Sequence, residues 1–187
     1  VAGGGAEVLP AELTLPLTRG MMLRYGENPH QKAAFYGRFD DHFAQRHGKE
    51  LSFNNLVDLN AAVQLIAEFD DPAVAILKHN NPCGAAAAPT LAEAAKNALA
   101  GDPVSAYGSI LGFNRTVDVA TAEVLCGEGL FVEAIVAPAY DPAALAMLQE
   151  RPKWRKNVRL LEVGNIEGRR EEWSFRVLAG GLLLQQA

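Results

Sequence analysis

Val74-Ala75-Ile76-Leu77-Lys78-His79-Asn80-Asn81-Pro82-Cys83-Gly84 is the stretch on which the reading of this 187-residue chain turns. Its four leading apolar residues, bounded by turn formers, read as a buried strand, and Asn81-Pro82 followed by Gly84 stops that strand and turns the chain. Open α/β sheets bind ligands outside the carboxyl ends of their strands, which is where this reading puts Lys78 and His79. An ammonium beside an imidazole suits proton transfer next to a developing negative charge. A solvated Lys and a His satisfied by its own turn are the alternative on local sequence alone.

Working outward, strands and helices alternate. Upstream, Lys32 to Phe39 reads as a short strand, and Asn54 or Asn55 can cap a helix to about Phe69 whose stripe is Leu56, Leu59, Val63 and Ile66. Asp71-Pro72 ends it. Downstream, Thr90 with Glu93 three residues later forms a capping box for a helix to about Ala100, closed by Gly101 and Pro103. Ala106 to Phe113 reads as a strand, Val119 to Leu125 as a short helix and Phe131 to Ala137 as a strand rich in Val and Ile. Asp141 and Pro142 supply an N-cap and first-turn pair for a helix to about Gln149; Val158 to Val163 and Leu182 to Gln185 are further strand candidates. This alternation implies βαβ units and a sheet covered on both faces.

Composition narrows the function. An apolar fraction of 49% and a charged fraction of 21% are ordinary for a soluble globular chain, and no apolar run is long enough to cross a bilayer. A soluble cytosolic protein is therefore expected. The net charge of −5 argues against a general nucleic-acid coat while permitting a local anion site. Arg151, Lys153, Arg155, Lys156 and Arg159 cluster around Trp154, but Glu162, Glu167, Glu171 and Glu172 nearby make a mixed, solvated surface the economical reading. Cys83 and Cys126 lack paired metal or disulfide spacing, and a nucleophilic Cys83 would need a lowered thiol pKa that nothing local guarantees. The chain opens on Val1, with Gly-rich residues to Gly5 that look like a linker, and Leu15 to Met22 is poorly patterned.

Other chemistry-bearing residues stand apart in sequence. Arg24 offers a planar fork for phosphate or carboxylate, and Tyr25 beside it can stack on a flat ring, a pairing that suits a nucleotide but also serves as a loop anchor. Gly108 permits close approach of a ligand to the backbone, or marks a strand bend. Glu133 is an acid within an otherwise apolar strand; it calls for a buried cation or a ligand amine, unless it faces water from an edge.

Taken together, these motifs resemble the aminoimidazole carboxamide ribonucleotide (AICAR) formyltransferase domain of bifunctional purine biosynthesis proteins. The resemblance runs through Leu23 to Gln31, Gly48 to Asn55, Lys78 to Gly84, Asp102 to Gly108, Phe113-Asn114-Arg115, Glu133 to Pro138 and Gly180 to Gln185. It implies transfer of the formyl group of 10-formyltetrahydrofolate to the 5-amino group of AICAR. Lys78 and His79 would then be the catalytic pair, Arg24, Tyr25, Gly108 and Glu133 would hold the nucleotide, and Asn81 would give support. The implied fold is a cytidine deaminase-like three-layer α/β/α sandwich with a mostly parallel or mixed sheet. No metal is implied: Pro82-Cys83 lacks the second cysteine two residues on, and no His-x-Glu precedes it.

By the same resemblance, residues 1–22 are the linker from an absent upstream IMP cyclohydrolase domain, and residues 23–187 are the amino-terminal half of the formyltransferase domain. The missing carboxyl-terminal half supplies further nucleotide and folate contacts in the family, at a homodimer interface. Half of a duplicated domain should therefore expose an apolar face. Ser109 stands where many bacterial members have glycine, and Glu133 where some have Asp. A truncated nucleotide-binding or assembly module, and a Cys83 acyltransferase, are the rival readings.

Overall fold

The computed structural model describes residues 9–164 and 173–186. In chain order these form β1 (Arg19–Met22), β2 (Ala34–Tyr36), a 3-10 turn (Phe39–Asp41), β3 (Ala44–His47), α1 (Phe53–Ile66), β4 (Ala73–Lys78) and β5 (Asn81–Ala87). They continue as α2 (Leu91–Gly101), β6 (Ser109–Phe113), α3 (Val119–Leu125), β7 (Val132–Ala137), α4 (Pro142–Glu150), β8 (Arg159–Glu162), β9 (Trp173–Leu178) and β10 (Gly181–Gln186). Six strands make the main sheet in the order β3-β8-β7-β6-β4-β5. The centre, β6 to β8, is parallel; β4 runs antiparallel to both β5 and β6, and β3 antiparallel to β8.

Alternation along the strands feeds two cores. From β4, Val74 and Ile76 join Leu91, Ala95, Leu125 and Leu148 on the side of α2, α3 and α4. Ala75 and Leu77 point the other way, where Leu59, Ala62, Val63 and Ile66 of α1 cover the sheet. The result is the expected three-layer α/β/α sandwich with a mixed sheet. Each fully buried Leu or Ile contributes roughly 1.5–3 kcal/mol by leaving water, so the two cores fix the strand ends that carry the polar residues.

The main departure from the sequence reading lies at the turn. Asn81-Pro82-Cys83-Gly84 does not terminate β4 but opens β5, and the reversal is made by His79 and Asn80 alone, at φ of 54° and 60°. Two consecutive positive φ values are the geometry of a tight two-residue hairpin turn, whose twist matches that of its flanking strands. Pro82 is tolerated because β5 is an edge strand. Cys83 is the extra residue of a bulge, since Leu77 pairs with Pro82 and Ile76 with Gly84. At Gly84 a Cβ would meet the Ala98 carbonyl at 2.3 Å, so glycine lets α2 lie directly on β5.

Caps set the helix starts. Ser52, not Asn54 or Asn55, is the N-cap of α1: its hydroxyl accepts the Asn55 N–H at 3.3 Å, and the Asn55 side chain accepts the Ser52 N–H at 3.1 Å. Thr90 caps α2 by accepting the Glu93 N–H at 3.2 Å, while Gly101 is the last helical residue rather than the stop. Asp141 precedes Pro142 at the start of α4 without a side-chain cap bond.

Three further strands escaped the sequence reading: β1, inside the segment read as linker, pairs with β2; β3 closes one edge of the sheet; and β9 pairs with β10 in a separate hairpin. That hairpin leaves Phe175, Val177, Leu178, Leu182 and Leu183 exposed, with Val177 at 79%, in line with the expected uncovered apolar face. Among the described residues, no helix is long and apolar enough to cross a membrane.

Candidate active site

The β4–β5 turn is one wall of a cavity of about 210 Å³ lined by Tyr25, Ser52, Asn54, Asn55, Asp58, Lys78, His79, Gly108, Ile110 and Glu133. Residues from five separate segments converge there: the loop after β1, the cap and first turns of α1, the end of β4, the start of β6, and β7. Larger hollows exist elsewhere: one of about 680 Å³ between Leu9 to Leu15 and Leu182 to Leu184 is apolar, and one of about 560 Å³ beside β1 and the 3-10 turn holds Arg19, Arg38, Asp40 and Asp41 but neither a lysine nor an imidazole.

Lys78, the last residue of β4, is half-buried, and its ammonium donates to the Tyr107 carbonyl at 2.8 Å. That bond holds the stem against the 102–108 loop and leaves two of its three N–H groups for other acceptors. His79 is exposed at the head of the turn. The turn itself is tied to α1, because Asp58 accepts the Asn80 N–H at 2.5 Å. Burial pushes the Asp58 carboxyl above its usual range, while the backbone N–H groups of Asn80 and His79 and the charge of His79 pull the other way. Asn81 does not line the cavity; its amide donates to the His79 carbonyl at 2.8 Å and so braces the turn from outside.

Gly108 has φ of 79°, a conformation that favours glycine, and its N–H donates to the Phe131 carbonyl at 2.7 Å just before β7. Gly108 lines the cavity, although its N–H is taken by Phe131. Arg24 is exposed, with its guanidinium 5.3 Å from the centroid of the Tyr25 ring, and it is not among the cavity-lining residues. The Arg24-Tyr25 loop is fixed by backbone bonds: the Arg24 N–H donates to the Leu51 carbonyl at 3.1 Å, and the Phe53 N–H donates to the Tyr25 carbonyl at 3.1 Å.

Glu133 does have a buried cation beside it, and this cation corrects the sequence reading. Arg159, grouped above with a solvated basic cluster, is 4% exposed, and its Nη1 lies 3.2 Å from the Glu133 carboxylate. Trp154 of the same cluster is buried in the core at 3% exposure. Burial lowers the Arg159 guanidinium below its usual range, with Glu133 opposing the shift. The remaining members of that stretch give a divided picture: Arg151, Lys153 and Lys156 are exposed, and Arg155 half-buried; Glu167, Glu171 and Glu172 lie outside the described residues.

Five lining residues, Ser52, Asn54, Asn55, Asp58 and Ile110, are not among the site residues singled out from sequence. The capping signal of Ser52-x-x-Asn55 marks where α1 begins, but not that its first turns face the strand ends. Cys83 is half-buried, its thiol pushed up by burial, and its Sγ faces the Ile76 carbonyl at 3.5 Å, an environment without thiolate activation. No group of three or more His, Cys, Asp or Glu side chains among the described residues could hold a metal ion.

A polar cavity with an ammonium, an imidazole, two carboxylates and a glycine in its wall can bind a small anionic or hydroxylated molecule and move a proton on it. A family model described as the AICARFT/IMPCHase bienzyme matches residues 3–187. A relative from Rhodopirellula baltica, called bifunctional purine biosynthesis protein PurH, is 51% identical over 184 residues, covering 95% of this chain and 35% of the relative. Proteins of the same name from Bacteroides thetaiotaomicron and Persephonella marina are 52% and 44% identical, over 87% and 96% of this chain and 31% and 35% of theirs. The chain thus spans about a third of the length of the relatives it matches. With the family match running over all but its first two residues, this chain belongs to the AICARFT/IMPCHase bienzyme family.

Proposed function

We propose that this chain is the amino-terminal half of an AICAR formyltransferase domain in a bifunctional, cytosolic purine biosynthesis protein whose other domain is an IMP cyclohydrolase. The observation that carries the reading is the convergence of Tyr25, Lys78, His79, Gly108 and Glu133 on one cavity, from segments more than a hundred residues apart in sequence. In this reading Tyr25, Gly108 and Glu133 hold AICAR, with Arg24 at the rim and Asn81 bracing the turn. The folate donor and the carboxyl-terminal half of the domain, within a homodimer, complete the site.

The chemistry follows from the side chains. The 5-amino group of AICAR is conjugated with its ring and is a poor nucleophile, so it gains most if its proton is taken as it attacks. Its nitrogen bonds to the formyl carbon of 10-formyltetrahydrofolate, His79 accepts the amine proton, and the carbonyl oxygen becomes an oxyanion facing the Lys78 ammonium. Collapse breaks the bond to the folate nitrogen, which takes up a proton from His79 or Lys78. General-base help of this kind is worth about 10² to 10⁴ in rate. An oxyanion donor is worth about 3 kcal/mol.

In the full-length protein, His79→Ala and Lys78→Ala are each expected to lower kcat at least about 100-fold. Formyl transfer retained in both variants would remove the catalytic assignment.

A further inference from the structure

Arg159 is a buried cation that the transferase reading above does not use. It sits on β8, whose register in the parallel sheet places it beside Ala134, next to Glu133. Its side chain is 5% exposed, whereas that of Glu133 is 41% exposed and faces the cavity. The guanidinium is held at one end by a backbone group: Nε and Nη2 donate to the Glu50 carbonyl at 3.2 and 3.1 Å. At the other end Nη1 reaches the Glu133 carboxylate at 3.2 Å and the Glu133 carbonyl at 3.5 Å.

A fork anchored at one end and charged at the other fixes where its partner carboxylate rests. Glu133 side chains in water sample several rotamers, and a carboxylate that receives a ligand must give them up on binding. Arg159 removes that freedom beforehand, on one carboxylate oxygen, and leaves the other free for a ligand hydroxyl or amine. We propose that Arg159 is a positioning residue for nucleotide binding, acting through Glu133; the inference rests on the assignment of the cavity to AICAR. A lysine cannot substitute. Its point charge cannot bond the Glu50 carbonyl and the carboxylate in the same geometry, and a buried ammonium loses its proton readily.

The test is a double-mutant cycle in the full-length protein, read as KM for AICAR and kcat of formyl transfer. Arg159→Lys is expected to raise KM about tenfold and lower kcat less than about threefold, because its effect falls on nucleotide binding. On a Glu133→Gln background the same substitution is expected to change KM less than about threefold, since the charge it acts through is gone. Equal effects on both backgrounds, or an unchanged KM for Arg159→Lys alone, overturn the inference, because a purely structural role would add on either background. Should Arg159→Lys lose its cooperative thermal transition, Arg159→Met is compared with Glu133→Gln alone in the double variant, where no carboxylate remains unpaired; a further rise in KM beyond about fivefold overturns it. Wild-type protein without AICAR turnover refutes the transferase reading itself. Normal wild-type turnover with additive variants refutes only the role of Arg159.

Discussion

Replacing Asp58 tests how the β4–β5 turn presents His79. The turn consists of two non-glycine residues at positive φ, a conformation that costs about 1–2 kcal/mol for an ordinary L-residue and less for Asn80. The acceptor bond from Asp58 to the Asn80 N–H, at 2.5 Å, offsets part of that cost. A hydrogen bond to a charged group contributes about 1.5–3 kcal/mol, and the half-buried position of Asp58 argues for the low end. Loss of about 1.4 kcal/mol on the turn lowers the equilibrium constant for the ordered turn roughly tenfold, which sets the upper bound on the drop in the fraction of molecules with His79 in place. Asp58→Ala is therefore expected to reduce kcat for formyl transfer measurably, by up to about tenfold, in the full-length protein. Asp58→Asn, whose amide oxygen still accepts the Asn80 N–H, should fall between it and wild type.

Stability should move the other way for Asp58→Asn. Burial raises the Asp58 carboxyl above its usual range, so the folded state binds this proton more tightly than the unfolded chain does. The group's contribution to stability is then lost as pH rises through the raised folded value, and at neutral pH the ionised carboxylate is a cost. Thermal melts at pH 7 should show Asp58→Asn at least as stable as wild type, and wild type should gain on it as the pH falls through the window between the ordinary and the raised carboxyl values. An Asp58→Ala variant with undiminished kcat, or an Asp58→Asn variant that is less stable at pH 7 and draws level in acid, would refute this reasoning.

Three further outcomes are expected. Ser52→Ala removes the N-cap of α1 and should cost about 1 kcal/mol, lowering Tm by about 2–4 °C; an unchanged melt would mean that the capping box carries no weight. Gly84→Ala puts a methyl 2.3 Å from the Ala98 carbonyl and should destabilise by about 1–3 kcal/mol in denaturant titration, whereas a neutral result would show that α2 can move off β5 freely. Cys83→Ala should keep formyl transfer within about twofold, as its thiol is pushed up by burial; a collapse of turnover would bring the Cys83 acyltransferase reading back.

Much of the layered core was legible because its periodicity is local. Val119–Leu125 matches the expected helix, and Val132–Ala137 lies within the expected strand, since Asp118 and Pro138 punctuate them. The hairpin was misread because its turn residues, His79 and Asn80, lack the glycine that usually marks positive φ, and because Pro82 and the alanines that follow have little strand propensity. Lys78, His79, Tyr25, Gly108 and Glu133 could be picked out by residue type beside turn or strand signals, and the structure brings them together. Arg159 could not, because a sequence window shows a basic run, while only the parallel pairing of β7 and β8 reveals that one member points inward. Asp58 was hidden likewise within a helix pattern whose polar positions all look solvated.

The central claim is tested most directly by assaying formyl transfer from 10-formyltetrahydrofolate to AICAR with this chain mixed with a separately made remainder of the protein. Turnover in the mixture that disappears when the chain carries His79→Ala is the predicted result. A mixture with no turnover, or one whose turnover survives His79→Ala, would contradict the assignment of this cavity to the transferase site.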